Sequence, residues 1–285
     1  MYSQTITHLH RTAFIIALDC STSMQGMTYL NNKQMRKADA VAIVCNYIID
    51  ELLARATRGG EVRNYYDIAV IGYNGHDVLP MIPENVNEFI SISTLATRAP
   101  MPREYRFDQR LDNGLSTTAN FVLRDWIKPV TEDFTPMHTA LTHIQGMVSR
   151  WCSKIENLDS FPPIVFNITD GECNDATSDE LIKAARSITQ TGTNDGNTLL
   201  INIHLSSNPN SQSDIFPSDA DYHAESEYQM TLYRMSSLMP RTMEPLIEEI
   251  GTHRGKGPYR GMAYNITPSE LLAILNIGSE SIKLA

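Results

Sequence analysis

The chain of 285 residues has no long apolar run, and the run from Ala13 to Leu18 is far too short to cross a membrane. Its N-terminal stretch, Met1 to Arg11, is polar and lacks the apolar segment of a secretion signal. The four cysteines show no CxxC spacing, which predicts reduced thiols. These absences argue against a membrane span and a disulfide framework, and they predict a cytoplasmic location.

Positive charge is also scarce, because 23 Lys and Arg residues stand against 33 Asp and Glu residues and give a net charge of −10. Nucleic-acid-binding proteins usually carry a basic patch, and the nearest candidate here is the short stretch from His253 to Arg260. The phosphate-binding order GxxxxGK[ST] and the GxSxG elbow of α/β-hydrolases are both missing. The sequence therefore argues against a nucleic-acid binder, a P-loop protein and an α/β-hydrolase.

The apolar pattern predicts strands that alternate with helices. The predicted strands are Thr12 to Leu18, Tyr65 to Gly72, Asp77 to Met81, Ile164 to Thr169, Thr198 to Leu205 and Met262 to Ile266. The predicted helices are Lys33 to Arg58, Met137 to Ile155, Ser178 to Gln190, Gln229 to Ile250 with breaks at Pro240 and Pro245, and Pro268 to Leu275. This order predicts an α/β fold: a doubly wound, mostly parallel, Rossmann-like sheet flanked by helices. Asn74-Gly75 predicts a hairpin turn into one short antiparallel edge strand.

Two polar stretches, residues 80–120 and 206–226, fit this alternation poorly. Loops of that length usually carry function or are mobile. We interpret both as insertions in a single domain that covers residues 1–285, and we expect the first to influence the choice of partner because it would lie beside a rigid site.

Three polar motifs follow predicted strands or begin a predicted helix. Asp19, Ser21 and Ser23 come directly after the first strand, Thr135 precedes the helix that begins at Met137, and Asp170 follows the strand that ends at Thr169. Ligands of open α/β sheets bind outside the carboxyl ends of the strands. Two carboxylates and three hydroxyls form a hard oxygen set that suits Mg²⁺, and next Mn²⁺ or Ca²⁺, better than Zn²⁺.

The DxSxS run at Asp19, the Thr-Pro-Met at Thr135 and the Thr-Asp-Gly that contains Asp170 resemble the metal-ion-dependent adhesion site of von Willebrand factor A domains. The resemblance implies that Asp19, Ser21, Ser23, Thr135 and Asp170 hold one divalent cation, whose sixth position takes a carboxylate of a partner protein. It covers most of the chain. One departure is Asp133-Phe134, where the family often has Gly-Gly; the loop is then stiffer, or Asp133 approaches the metal.

The tail of the chain, from Tyr259 to Asn265 and from Asn276 to Gly278, is similar to that of bacterial intracellular members of this family. Some of these resemble tellurium-resistance-associated proteins, which implies a role in a bacterial stress response or in signalling. That resemblance places a protein kinase or phosphatase among the expected partners.

Each motif also has a purely structural interpretation. Thr135 alone is typical of a helix N-cap, Asp175 of an N-cap for the helix from Ser178, Glu172 of a solvated loop, and Cys20 and Cys173 of small buried thiols. The expected function is non-enzymatic: a metal-dependent protein-binding module. The alternatives are a metal-assisted phosphate-ester hydrolase with His138 as a base, and a scaffold without metal.

Overall fold

The computed structural model describes residues 2–30, 33–82, 89–110, 116–206, 212–219, 222–251 and 257–280. Its strands are β1 Thr12–Asp19, β2 Met27–Leu30, β3 Lys33–Arg36, β4 Thr57–Arg58, β5 Glu61–Val62, β6 Tyr66–Asn74, β7 Asp77–Pro80, β8 Ile90–Ser91, β9 Pro102–Arg110, β10 Ser116–Arg124, β11 Ile164–Thr169, β12 Gly192–Thr193, β13 Gly196–Asn197, β14 Leu199–Leu205, β15 Asp214–Ile215 and β16 Met262–Ile266. Its α-helices are α1 Lys37–Ala56, α2 Ile92–Thr97, α3 Met137–Cys152, α4 Ser178–Thr189, α5 Glu227–Met235, α6 Glu244–Ile250 and α7 Pro268–Glu280.

The main sheet has the strand order β15-β16-β14-β11-β1-β6-β7, and β8 also pairs with β6. The strands from β16 to β6 run parallel, and β15, β7 and β8 run antiparallel at the edges. Strands β1 and β11 are buried along their whole length, as apolar runs between two helical layers must be. The predicted doubly wound, mostly parallel sheet is confirmed.

Helices cover both faces of this sheet. The core on one face includes the apolar residues of α1 and α7, and the core on the other includes those of α3, α4 and α5. Strand β1 pairs with β6 on one side and with the later strand β11 on the other, so the strand order reverses at β1. A doubly wound sheet forms its binding crevice at the carboxyl ends of strands beside such a reversal.

Helix α1 begins four residues later than predicted. Residues 33–36 instead form strand β3, which pairs antiparallel with β2. The sequence did not indicate this hairpin because only Leu30 and Met35 are buried in its two strands, and one buried residue in each strand leaves no alternating apolar pattern. At the other end, the chain leaves the helix at Thr57 and enters the short pair β4-β5.

The predicted helix caps are wrong in two places. Helix α3 has Pro136 as its N-cap and no side-chain cap, so Thr135 is not the cap. Helix α4 is capped by Thr177, which forms a capping box with Glu180. Asp175 instead accepts hydrogen bonds from the backbone N–H groups of the first turn of α3, at 3.0 and 2.9 Å. A negative charge at this end of a helix also interacts favourably with the helix dipole.

The first polar stretch, residues 80–120, contains more regular structure than the sequence predicts. Helix α2 follows β8, and β9 and β10 form an antiparallel hairpin. Residues 83–88 and 111–115 of this stretch, and residues 207–211, 220 and 221 of the second, lie outside the described residues. The assignment of both stretches as insertions stays a prediction. Among the described residues, no helix combines the length and the apolar character needed to cross a bilayer.

Candidate metal-binding site

The residues that the sequence selects as ligands meet at the carboxyl ends of β1 and β11. Asp19 is the last residue of β1, and Asp170 follows directly on β11. Since the two strands are neighbours in parallel register, both carboxylates reach the same edge of the sheet. This edge lies where the strand order reverses, which is the position expected for a binding crevice.

Four of the five predicted ligands form one chain of hydrogen bonds. The Ser21 backbone N–H donates to Asp19 Oδ1 at 2.9 Å, and Ser21 Oγ lies 2.9 Å from Ser23 Oγ. Ser23 Oγ in turn donates to Asp170 Oδ1 at 2.5 Å. Asp19 and Ser21 are buried, whereas Ser23 is exposed and marks the opening of the site.

Thr135, the fifth predicted ligand, faces the same opening across Gly171. A Cβ atom on Gly171 would stand 3.6 Å from Ser23 Oγ and 4.0 Å from Thr135 Oγ1. The missing side chain therefore leaves open the space between these two hydroxyl groups. Thr135 is itself 4% exposed, so its hydroxyl belongs to the wall of the site rather than to the outer surface.

Backbone hydrogen bonds fix the loop before Thr135 against its neighbours. The Asp133 carbonyl accepts from the Thr22 N–H at 3.1 Å, and the Phe134 carbonyl accepts from the Gly75 N–H at 3.1 Å. Asp133 adopts a positive φ of 53°, and its carboxylate lies beside Gly75. Asp133 thus anchors the first loop through its carbonyl, and the structure does not place its side chain among the predicted ligands.

Asn174 joins the loop of Thr135 to the loop of Asp170. The Asn174 side-chain oxygen accepts from the Thr135 backbone N–H at 3.0 Å, and the Asn174 backbone N–H donates to the Thr135 carbonyl at 3.1 Å. This reciprocal pair sets the position of Thr135 relative to the end of β11. Sequence reasoning missed Asn174 because a polar residue in a strand-to-helix loop is common.

Thr169 supports the innermost carboxylate. Its hydroxyl donates to Asp19 Oδ2 at 2.6 Å and is fully buried. Burial, with a smaller contribution from the nearby Asp170 carboxylate, raises the pKa of Asp19 to about 6, although the hydrogen bonds from Ser21 and Thr169 lower it. A cation at this point would offset that cost, because it favours the ionised form.

A lysine that the sequence analysis did not select also lies in the site. Lys37 Nζ is 2.7 Å from Asp170 Oδ2, and the side chains are 2% and 0% exposed. A lysine near the start of a predicted helix is expected to be solvated, so the apolar pattern of the sequence did not indicate this ion pair. Its presence means that Asp170 already has a cationic partner within the chain.

An aromatic cluster closes the site on the side of β14. His204 stacks on Tyr264 with ring centroids 4.5 Å apart and meets Tyr228 edge to face. The Tyr228 hydroxyl donates to the Gly171 carbonyl at 2.5 Å, so the cluster holds the loop that contains Asp170. Burial, with a further contribution from the charge of Lys37, lowers the pKa of His204 to about 4.

The buried His204 predicts a loss of stability in acid. Its folded pKa of about 4 lies below the unfolded value of about 6.5, so the unfolded chain binds the proton first as the pH falls between them. We expect this histidine to cost about 2 kcal/mol of unfolding free energy between pH 7 and pH 5.

Asp19, with its raised pKa, affects the unfolding free energy with the opposite sign below pH 6. The measurement is therefore the difference in urea stability between wild type and His204→Gln at each pH. A difference that does not change with pH would contradict the prediction.

The remaining candidates from the sequence take no part in the hydrogen bonds that join the predicted ligands. His138 lines a groove between α3 and α4 together with Glu180 and Lys183, and none of the predicted ligands lines that groove. Glu172 is exposed, as its loop interpretation predicts. All four cysteines are free; Cys20 is buried, and Cys173 is half-buried.

The oxygen donors of the site suit a hard divalent cation. The hydroxyl groups contribute to this fit as much as the carboxylates do. In the described part of the chain, no cluster of three or more His, Cys, Asp or Glu side chains is suited to hold a metal ion. The site offers only two carboxylates, with hydroxyls that lie within hydrogen-bond distance of them. That composition suits Mg²⁺ or Mn²⁺ and disfavours Zn²⁺.

Comparison with known proteins gives remote structural likenesses only. No family model and no curated protein matches the chain. It is similar to proximal thread matrix protein 1 of the mussel byssus, with a zinc-occupied MIDAS motif (14% identity, TM-score 0.46), and covers 47% of that chain. It is also similar to manganese-loaded TRAP protein of Plasmodium vivax (12%, 0.43, 72% of that chain covered) and to the vWF domain of the pilus tip protein Mfa5 of Porphyromonas gingivalis (10%, 0.35, 78%). The alignments span 94%, 94% and 98% of this chain.

Proposed function

We propose that this chain is a non-enzymatic protein-binding module that holds one divalent cation, with Mg²⁺ the best fit, and uses it to capture an Asp or Glu of a partner protein. The cation would be held by Asp19, Ser21, Ser23, Thr135 and Asp170. The observation that carries the proposal is the open space above Gly171, which the hydroxyls of Ser23 and Thr135 both face. When bound, the cation supplies the positive charge that attracts the partner carboxylate.

The residues of the site have different roles in binding the cation and the partner. Asp19 and Asp170 supply negative charge at the base of the site, and the hydroxyls near the opening supply neutral oxygen donors. Thr169 and Asn174 hold the two loops in place. Phe134, which directly precedes Thr135, is 63% exposed. An exposed aromatic side chain beside a charged site suits a protein partner, because aromatic residues are enriched in protein interfaces.

The test is isothermal titration of Mg²⁺, Mn²⁺ and Ca²⁺ into chelator-stripped protein. We expect one saturable site in the wild type and a loss of affinity of about a hundredfold or more in Asp19→Ala, because the ion loses a charged ligand and its innermost support. The matched control is Asp77→Ala, which removes an exposed carboxylate of β7 on the neighbouring hairpin.

Two results would contradict the proposal. Equal affinity in Asp19→Ala would place the cation elsewhere on the chain. No binding by the wild type, with or without an added carboxylate, would favour the second candidate, a scaffold without metal, which the buried Lys37–Asp170 pair supports. The position of His138 gives the hydrolase alternative no support, because its groove contains none of the predicted ligands.

The finer expectations from the sequence stay predictions. They are a cytoplasmic location, a role in a bacterial stress response or in signalling, and a kinase or phosphatase as partner. The partner and the role become testable once Mg²⁺-dependent capture of an acidic partner has been measured.

A further inference from the structure

Lys37 is a part of the site to which the proposed function gives no role. Its ammonium group contacts Asp170 Oδ2 at 2.7 Å, while Ser23 Oγ takes Asp170 Oδ1 at 2.5 Å. Both oxygens of the Asp170 carboxylate are therefore already bonded by the chain. A cation that reached Asp170 would have to share it with Lys37 or displace it.

The position of Lys37 is fixed from two sides. It is the first residue of α1, and its N–H donates to the Gly26 carbonyl at 2.8 Å. Its side chain passes under Gly26, where an added Cβ would stand 3.6 Å from the Lys37 Cε. Since the side chain is 2% exposed, the ammonium cannot meet a partner protein at the opening. It acts only as an internal charge.

The formal charges of the site show what this internal charge does. Ionised Asp19 and Asp170 together with the Lys37 ammonium carry one net negative charge. A bound dication would change this to one net positive charge, and a partner carboxylate would then bring the site to neutrality. Without Lys37, the dication alone would neutralise the site.

We infer that Lys37 couples the divalent cation to the acidic partner: the cation alone binds weakly, and the carboxylate that completes the charge balance strengthens its binding. The inference rests on the proposed function and specifies how the same site is regulated. The coupling is reciprocal, so the cation strengthens binding of the carboxylate by the same factor. A module of this kind stays largely free of metal until its partner arrives.

The experiment compares wild type, Lys37→Gln and the control Lys33→Gln, which removes an exposed lysine of β3. Mg²⁺ is titrated calorimetrically near neutral pH into each chelator-stripped protein, with and without N-acetyl-aspartate amide as the carboxylate probe. N-acetyl-asparagine amide serves as the uncharged probe. We expect Lys37→Gln to bind Mg²⁺ alone at least about tenfold more tightly than wild type, because the Lys37 ammonium repels a dication that shares the Asp170 carboxylate with it. Lys33→Gln should behave like wild type.

The carboxylate probe tests the coupling itself. We expect it to raise the Mg²⁺ affinity of wild type and of Lys33→Gln, and to raise that of Lys37→Gln by a clearly smaller factor. The asparagine probe should have no effect on any of the three proteins.

The outcomes separate this inference from the function on which it rests. Equal Mg²⁺ affinity in wild type and Lys37→Gln, with equal response to the probe, would overturn the role of Lys37 and leave the metal-dependent module intact. Mg²⁺ binding by Lys37→Gln but not by wild type, even with the probe, would support Lys37 as a competitor while removing the proposed function. No binding by either protein would overturn both.

Loss of folding in the variant is covered by a second measurement. Lys37→Gln leaves the Asp170 carboxylate without its ammonium, so the variant should melt at a lower temperature than wild type in chelator. We expect Mg²⁺ to raise this melting temperature more than that of wild type, because the cation replaces the lost charge. If Lys37→Gln is unfolded in chelator, recovery of its far-ultraviolet circular dichroism on addition of Mg²⁺ supports the inference. Failure of both Lys37→Gln and Lys37→Met to refold with Mg²⁺ overturns it.

Discussion

Asp170→Asn should lower the free energy of unfolding by about 3 to 5 kcal/mol in chelator, which is the usual cost when a buried ion pair loses one partner. The variant keeps a hydrogen-bond acceptor for Ser23 but removes the charge that faces the Lys37 ammonium at 2.7 Å. An ammonium group that is 2% exposed cannot regain solvation without opening the first turn of α1. Urea denaturation, followed by circular dichroism, measures the loss.

A double-mutant cycle separates the ion pair from the rest of the site. Lys37→Met combined with Asp170→Asn removes both charges, and replacing both members of a buried pair is often nearly neutral. We expect the double variant to recover most of the stability lost by Asp170→Asn. If Asp170→Asn costs less than about 1 kcal/mol, the pair behaves as a solvated surface contact, which would contradict the burial found in the structure.

The sequence predicts the central strands well because burial on both faces leaves a simple trace. Strands β1 and β11 are buried along their whole length; β1 ends at Asp19, and Asp170 directly follows β11. The convergence of Asp19 and Asp170 required one further fact, that β1 and β11 are neighbours. That pairing depends on contacts between distant segments, and only the order of the three motifs indicated it.

The features that the sequence did not predict all depend on contacts across the fold. Lys37 lies at a helix start, where a lysine is ordinarily solvated, and it becomes buried because its ammonium end packs against Gly26 and pairs with Asp170. Asp175 precedes α4 in the chain but caps α3, since the two helix starts lie side by side at the same edge. Local preference assigned each residue to its own segment, and tertiary packing assigned it to another.

Trp151→Ala should be the other large effect, with a loss of about 3 to 5 kcal/mol of unfolding free energy, because it removes a large side chain from a close-packed core. Trp151 lies in the last turn of α3 and is 1% exposed. Its indole N–H donates to Asp67 Oδ2 at 2.9 Å, and Arg11 bonds the other oxygen of Asp67 at 3.2 Å. The substitution therefore creates a cavity and also leaves one oxygen of a buried carboxylate without its donor. Urea denaturation in chelator measures the loss.

Trp151→Phe is the control that separates these two causes. It keeps most of the ring volume but loses the donor to Asp67, so we expect a smaller loss of about 1 to 3 kcal/mol. Trp151 also lies at the end of α3 opposite to Thr135, and 14 residues of helix correspond to about 21 Å. Protein that remains folded should therefore bind Mg²⁺ with unchanged affinity in both variants, since additivity holds for well-separated sites. A Mg²⁺ affinity that falls together with stability would show that α3 transmits strain to the loop of Thr135, so that the site depends on helix packing and not on the local hydrogen bonds of Asn174 and Thr169 alone.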